Sequence, residues 1–155
     1  WSGNKKISDG SSIDPKTSTS PALAVFRGKL YLAYRGEDKT DIYVSTFDGR
    51  TWSGNKKISD GSSIDPETKT GVALVATNDQ LLMLYRGEDK ADLYVAAFDG
   101  ETWSGNTRIS QMSSIDPETS TVPAAAVLNG TLNVVYRGKD HSDIYLSKLT
   151  EQSFR

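Results

Sequence analysis

The feature that most constrains this chain is an internal repeat. Trp1, Trp52 and Trp103 are spaced by 51 residues, and each opens the same phrase: WSGNKKISDGSSIDP, WSGNKKISDGSSIDP and WSGNTRISQMSSIDP. A second block recurs as YRGEDKTDIYVSTFDG, YRGEDKADLYVAAFDG and YRGKDHSDIYLSKLTE. Copies one and two match at about two-thirds of their positions, so the fold must be built from one unit used three times. The repeats are read as 1–51, 52–102 and 103–155, forming one propeller unit over 1–155.

Within a copy the pattern is strand-like. Short apolar runs predict strands over 21–26, 30–34, 41–47 and 52–58, and turn residues separate them: Arg27-Gly28, then 35–39, then Asp48-Gly49. In copy three the first turn is Asn129-Gly130, a strong hairpin signal. Residues 60–70 form a longer Gly/Ser/Asp/Pro connection, and no segment keeps a 3.6-residue apolar period, so no substantial helix is expected. Four antiparallel strands in about 50 residues, repeated, predict the blades of an all-β propeller. Runs such as Leu81-Leu82-Met83-Leu84-Tyr85 are apolar on both strand faces, which suits a sheet covered on both sides. A two-sheet sandwich is the other all-β arrangement, but it does not account for the strict repeat.

Three blades are too few for a ring, which takes about four to eight. Trp1 opens an outermost strand over 1–8, and Phe154 falls at the Trp position where the last blade's fourth strand would start. Two chains exchanging terminal strands would make a six-bladed homodimer. The other reading is a fragment, natural or engineered, of a longer array.

Composition narrows the function. A net charge of −2, with bases interleaved among acids, offers no basic footprint for nucleic acid. No apolar run is long enough to span a membrane or to serve as a secretory core segment. Cysteine is absent, which removes thiolate chemistry and leaves the compartment open.

An up-and-down blade brings the turn between its second and third strands to the same end as the blade-to-blade connection. That end gathers Asp9, Ser11, Ser12 and Asp14 with Arg35, Glu37, Asp38 and Asp41. The later copies add Arg86, Glu88, Asp89, Asp92, Arg137, Asp140 and Asp143. Bidentate polar groups hold vicinal hydroxyls and an aromatic face packs on sugar C–H groups, so these residues with Trp52 and Trp103 form the candidate ligand site. Repetition would add avidity. The structural alternative is that the Arg and Asp residues form blade-to-blade ion pairs and the Trp residues wedge blades apart.

The run from Arg-Gly-x-Asp to Phe-Asp-Gly-x-x-Trp-Ser resembles the repeats of bacterial β-propeller lectins, nearest to the fucose-binding Photorhabdus type. The layout is similar to that of six-bladed fucose lectins, although DIYVSTFDG lacks the Glu those repeats carry before their Trp-Asp-Gly turn. The resemblance implies glycan partners, fucose or a related sugar, held in pockets between adjacent blades. Residues 45–52 have the ingredients of the sialidase Asp box at altered spacing.

Near-identical repeats supply little of the asymmetry that catalysis needs. His141 is the sole histidine and sits in a polar turn. The chain is therefore read as non-enzymatic, and the alternatives to a lectin are a non-catalytic scaffold for protein interaction and a sialidase-like glycosidase. Asp9, Asp14 and Asp41 are hard oxygen donors without Asp-x-Asp spacing, so no metal or cofactor is assigned.

Overall fold

The computed structural model describes residues 2–150. They form antiparallel sheets that follow the repeat. The first is β1 (Ala22–Phe26), β2 (Lys29–Arg35), β3 (Ile42–Phe47) and β4 (Trp52–Lys57) in that order. The second repeats it with β5 (Val72–Ala76), β6 (Leu81–Arg86), β7 (Leu93–Phe98) and β8 (Trp103–Arg108). The third holds β9 (Ala124–Leu128), β10 (Thr131–Arg137) and β11 (Ile144–Thr150), with β11 at its outer edge. Strands β1, β5 and β9 stand side by side, so the sheets succeed one another like blades. The fourth strand of each complete sheet comes from the start of the next repeat.

The strand expected over 1–8 is not formed: residues 2–8 carry none, and Trp1 lies outside the described residues. A strand needs a neighbouring edge to satisfy its backbone, and this segment has none beside it. The expectation for Phe154 also falls outside the described residues. Among the described residues the one helical element is the four-residue turn α1 (Ile109–Met112).

Turn chemistry sets the hairpins. Arg27-Gly28 and Asn129-Gly130 each place two successive residues at positive φ (48° and 75°, 52° and 72°), the geometry of a tight two-residue hairpin turn. At the opposite side of the sheet the Trp-Ser-Gly-Asn phrase makes a bulge. Gly54 and Asn55 adopt φ 89° and 62°, and the β3–β4 register shifts between Val44 and Ser45. The bulge turns Asn55 back across the sheet, where its Oδ1 accepts hydrogen bonds from the Tyr34 hydroxyl and, at 3.4 Å, from Ser45. Asn106 repeats this with Tyr85.

The middle blade explains the two-sided apolar strands. Leu81, Met83 and Tyr85 of β6 join a core with Phe26, Tyr31 and Ala33 of the first blade. Leu82 and Leu84, between them in sequence, join Leu132 and Val134 of the third. Period-two alternation therefore sends each half of the strand to a different neighbour.

Asp48 and Asp99 close the turns into β4 and β8. The Asp48 carboxylate accepts backbone hydrogen bonds from Thr51 and Arg50, both at 2.8 Å, and Asp99 does the same with Thr102 and Glu101. These bonds hold both carboxyls below the ordinary carboxylate range. The stabilisation is present above the unfolded pKa and is lost as pH falls through the lower folded value. The Asp48→Asn/Asp99→Asn variant should therefore show a flatter melting temperature between about pH 2 and pH 5 than the parent chain, in a calorimetric pH series.

Candidate functional site

The blade-to-blade connection meets the β2–β3 turn. Thr68 N–H donates to the Thr40 carbonyl at 2.9 Å, and Thr119 does the same to Ala91 at 2.9 Å. Isolated bridges pair Asp41 with Glu67 and Asp92 with Glu118. Thr68 and Thr119 are fully buried, and their hydroxyls bond Thr70 and Thr121 at 3.2 and 3.3 Å. The polar residues of turn and connection thus lie together, as the up-and-down strand order requires.

A small pocket recurs there at the repeat spacing. In the second blade Asp65, Glu67, Glu88, Asp89 and Asn106 surround Tyr85 and Tyr94, enclosing about 220 Å³. In the third, Asp116, Glu118, Asp140 and His141 surround Tyr136 and Tyr145, again about 220 Å³. The tyrosines stack in register across β2–β3 and its equivalents, at 5.8, 5.6 and 5.7 Å. The outer ring lies over the glycine of Tyr-Arg-Gly. A Cβ at Gly36, Gly87 or Gly138 would stand 2.8 Å from the ring of Tyr43, Tyr94 or Tyr145, which explains the glycine in each copy. Burial pushes the Tyr34 hydroxyl up to about 12 and Tyr85 higher still, so both remain neutral donors. Desolvation, then a hydrogen bond with Glu67, raises Glu88 above the ordinary carboxylate range.

The three arginines do not line these pockets. Arg35 bonds the Ser18 hydroxyl and Arg137 bonds Ser120 at 2.8 Å, each bracing its own connection. Copy two has Lys69 at that serine's position, and Lys69 pairs with Asp89 at 2.6 Å. Arg86 instead donates from Nε to the Thr119 carbonyl at 3.1 Å and from Nη1 to the Gly87 carbonyl at 3.5 Å. Glu37 and Asp38 are exposed in their turn.

Asp41 and Asp92 also serve the sheet, pairing with Lys57 at 3.3 Å and Arg108 at 3.6 Å. The hydrogen bond and charge of Asp41 raise the Lys57 ammonium above its usual pKa. These pairs join the third and fourth strands of one blade, not two blades as the structural alternative supposed. Asp143, at the equivalent position, is exposed.

Trp52 and Trp103 lie at the other end, packed on Phe47 and Phe98 at 5.1 and 5.2 Å. They do not join the turn cluster. Trp103 forms one wall of a larger cleft, about 400 Å³, between the outer strands of the first two blades. Tyr31 and Phe98 add aromatic surface, while Lys56, Lys57, Asp60 and Glu101 supply charges of both signs. Lys56, Asn55, Asn106 and the tyrosine pairs were not among the residues singled out from sequence, whereas Asp60 is the second-copy equivalent of Asp9. The asparagine and the tyrosines recur in all three copies, which was the available signal, while Lys56 gives way to Thr107 in copy three. Among the described residues no cluster of three or more His, Asp or Glu side chains is placed to hold a metal ion. Among the same residues no helix is long and apolar enough to cross a membrane.

No protein-family model matches the sequence, and no curated protein matches it. Several solved structures are similar, among them the following two. An α-L-arabinofuranosidase from Clostridium thermocellum superposes with a TM-score of 0.61 at 15% identity, over 87% of this chain and 48% of its own. A mutant of the Aleuria aurantia lectin in complex with Fucα1-6GlcNAc superposes with a TM-score of 0.55 at 17% identity, over 88% of this chain and 48% of its own. The chain thus spans about half the length of each. At these identities the likeness concerns fold alone, and the fold is an all-β, propeller-like succession of antiparallel sheets.

Proposed function

We propose that this chain is a non-catalytic carbohydrate-binding module whose ligand sits between adjacent blades, and that copies associate to close a ring and present several such sites. The observation that carries the reading is the cleft between the first two blades. Its volume of about 400 Å³ suits a small ligand, its wall includes Trp103, and its rim offers Lys56 and Asp60 as donor and acceptor. One structural neighbour is a lectin in complex with a fucosylated disaccharide and the other is named as an arabinofuranosidase, so both engage sugars. The motif likeness to Photorhabdus-type propeller lectins favours fucose or a related sugar. Binding rather than hydrolysis is favoured because the cleft's carboxylates, Asp60 and Glu101, are exposed on its rim.

A glycan array with free-sugar competition tests the reading. Saturable binding to a defined set of glycans is expected, abolished by competing sugar. Lys56→Ala is expected to weaken it by about tenfold, the loss of one charge-assisted hydrogen bond. Silence across neutral and acidic glycans would sink the proposal, and turnover of a fluorogenic arabinofuranoside or fucoside would replace it with a hydrolase.

A further inference from the structure

The phrase that opens each repeat becomes a strand where a sheet edge receives it. Trp52–Lys57 forms β4 on β3, and Trp103–Arg108 forms β8 on β7. Residues 2–6 repeat Ser53 to Lys57 letter for letter and form no strand. Strand β11, the counterpart of β3 and β7, carries no fourth strand among the described residues. The effect is visible at Ile144, which is 78% exposed where its equivalents Ile42 and Leu93 are 1% exposed. The second blade stands between the first and the third. The segment leading into β1 and the free edge of β11 therefore lie at opposite ends of the row of blades.

Edge and segment are complementary. Tyr34 and Tyr85 each donate a hydroxyl hydrogen bond to the asparagine of the adjoining fourth strand, Asn55 or Asn106. Their equivalent Tyr136 has no such strand beside it among the described residues, and Asn4 is the asparagine of the segment. Asp41 pairs with Lys57 and Asp92 with Arg108 across the same two strands. Asp143 is exposed at the equivalent edge position, and Lys6 holds the place of Lys57. Gly3 already adopts φ +87°, against +89° at Gly54 and +91° at Gly105, the bulge that turns the asparagine across the sheet. The β3–β4 register, carried to β11, would set Ser2 against Lys148, Gly3 against Ser147 and Lys6 against Tyr145.

The segment also carries one side of a ligand cleft. Between the first two blades Gly54, Lys56 and Asp60 line the cleft with Phe98, Thr102 and Trp103 of the second blade. Their counterparts Gly3, Lys5 and Asp9 precede a first blade that has Phe47, Thr51 and Trp52 at the corresponding positions. The connection is already shaped alike in both copies. Ser11 Oγ donates to the Ile7 carbonyl at 2.6 Å, and Ser62 Oγ donates to the Ile58 carbonyl at 2.6 Å. Only the strand is missing. We infer that residues 2–6 of a second copy add to β11 and so build a ligand cleft that each chain lacks alone. Glycan binding and chain association then reinforce each other, because the ligand favours the form that holds the cleft. Main-chain hydrogen bonds hold the added strand, and the side-chain pairs above fix its register. The glycan and the ring are those proposed above, and the coupling rests on both.

The chain has no cysteine, so an engineered pair reports strand addition without interference. Thr46 and Ser53 meet across β3–β4 with their hydroxyls 3.1 Å apart, and Lys148 and Ser2 are their equivalents. Oxidised Ser2→Cys/Lys148→Cys should run at twice the chain mass on a non-reducing gel, with peptide mapping placing the disulfide between residues 2 and 148. Ser2→Cys/Ser147→Cys should run at the single mass, because successive strand residues face opposite sides of the sheet. A single mass for the first variant, a link within one chain, or equal linking in both overturns the inference. Sedimentation with Fucα1-6GlcNAc reads the coupling. At about ten times its dissociation constant the disaccharide should strengthen association about a hundredfold, since two such clefts form per ring. Lys5→Ala, weakening each cleft about tenfold, should leave an increase of about fourfold. Disaccharide that binds without changing association overturns the inference. A chain that links through residues 2 and 148 yet binds no disaccharide overturns the carbohydrate reading and leaves the strand addition standing.

Discussion

Leu82→Ala should lower the unfolding free energy by about 2–5 kcal/mol in urea denaturation, whereas Leu128→Ala in the isolated chain should cost under about 1 kcal/mol. Both side chains are leucines on β-strands and differ in what covers them. Leu82 is 0% exposed on the central strand β6 and packs towards Leu132 and Val134 of the third blade. Truncation there removes buried surface and leaves a cavity that sheets clamped on both sides cannot readily collapse. Leu128 is 66% exposed at the end of β9, so little of it leaves water on folding. A cost at Leu82 as small as that at Leu128 would mean that the second and third blades are not packed as described. Met83 makes the same argument on the opposite face of β6, because it is also 0% exposed and belongs to the first blade's core.

That contrast also shows what could be read before the fold was known. The strands were legible because the apolar runs are short and bounded by turn residues. In β6 the unbroken run from Leu81 to Tyr85 reported a sheet covered on both faces. The gathering of connection and β2–β3 turn followed from strand order alone, and the bridges from Asp41 to Glu67 and from Asp92 to Glu118 bear it out.

The roles within that cluster were not legible, because a repeated Arg or Asp looks the same whether it faces a ligand or braces the chain. Arg137 braces through the Ser120 hydroxyl, while Arg86, in the copy that has Lys69 where the others have serine, reaches the Thr119 carbonyl instead. The Trp residues illustrate a second limit. They open each repeat, but the sheet places them at the end remote from the turns, and only one of the two described tryptophans lines the large cleft.

The ring proposed above predicts that the chain runs at about twice its 16.9 kDa mass in light scattering at micromolar concentration, and that charging either end face abolishes this. The first blade exposes Leu23 (56%) and Val25 (62%), and the third exposes Leu128 (66%), Ile144 (78%) and Leu146 (55%). These positions are not arbitrary surface. Leu74, the equivalent of Leu23, is buried in the core between the first two blades together with Ala33, the equivalent of Val135. A second copy laid on either face would therefore repeat a junction the chain already makes, and would cover contiguous apolar surface that otherwise invites aggregation. The outer strand β11 adds an edge with no partner strand beyond it among the described residues.

Because the third blade of one copy would meet the first blade of the other, both contacts in a two-fold ring are the same, and one charge per chain disrupts both. Leu23→Lys and Val135→Glu should each run as monomers. Mixed together, they should recover the double mass, since one contact then keeps the parent Leu23 and Val135 while the other sets Lys against Glu. A monomeric mass for the parent chain across the concentration series would sink the ring, and so would variants that retain the parent mass. Rescue in the mixture alone would identify the two faces as each other's partners, an outcome that nonspecific association of apolar surfaces cannot imitate.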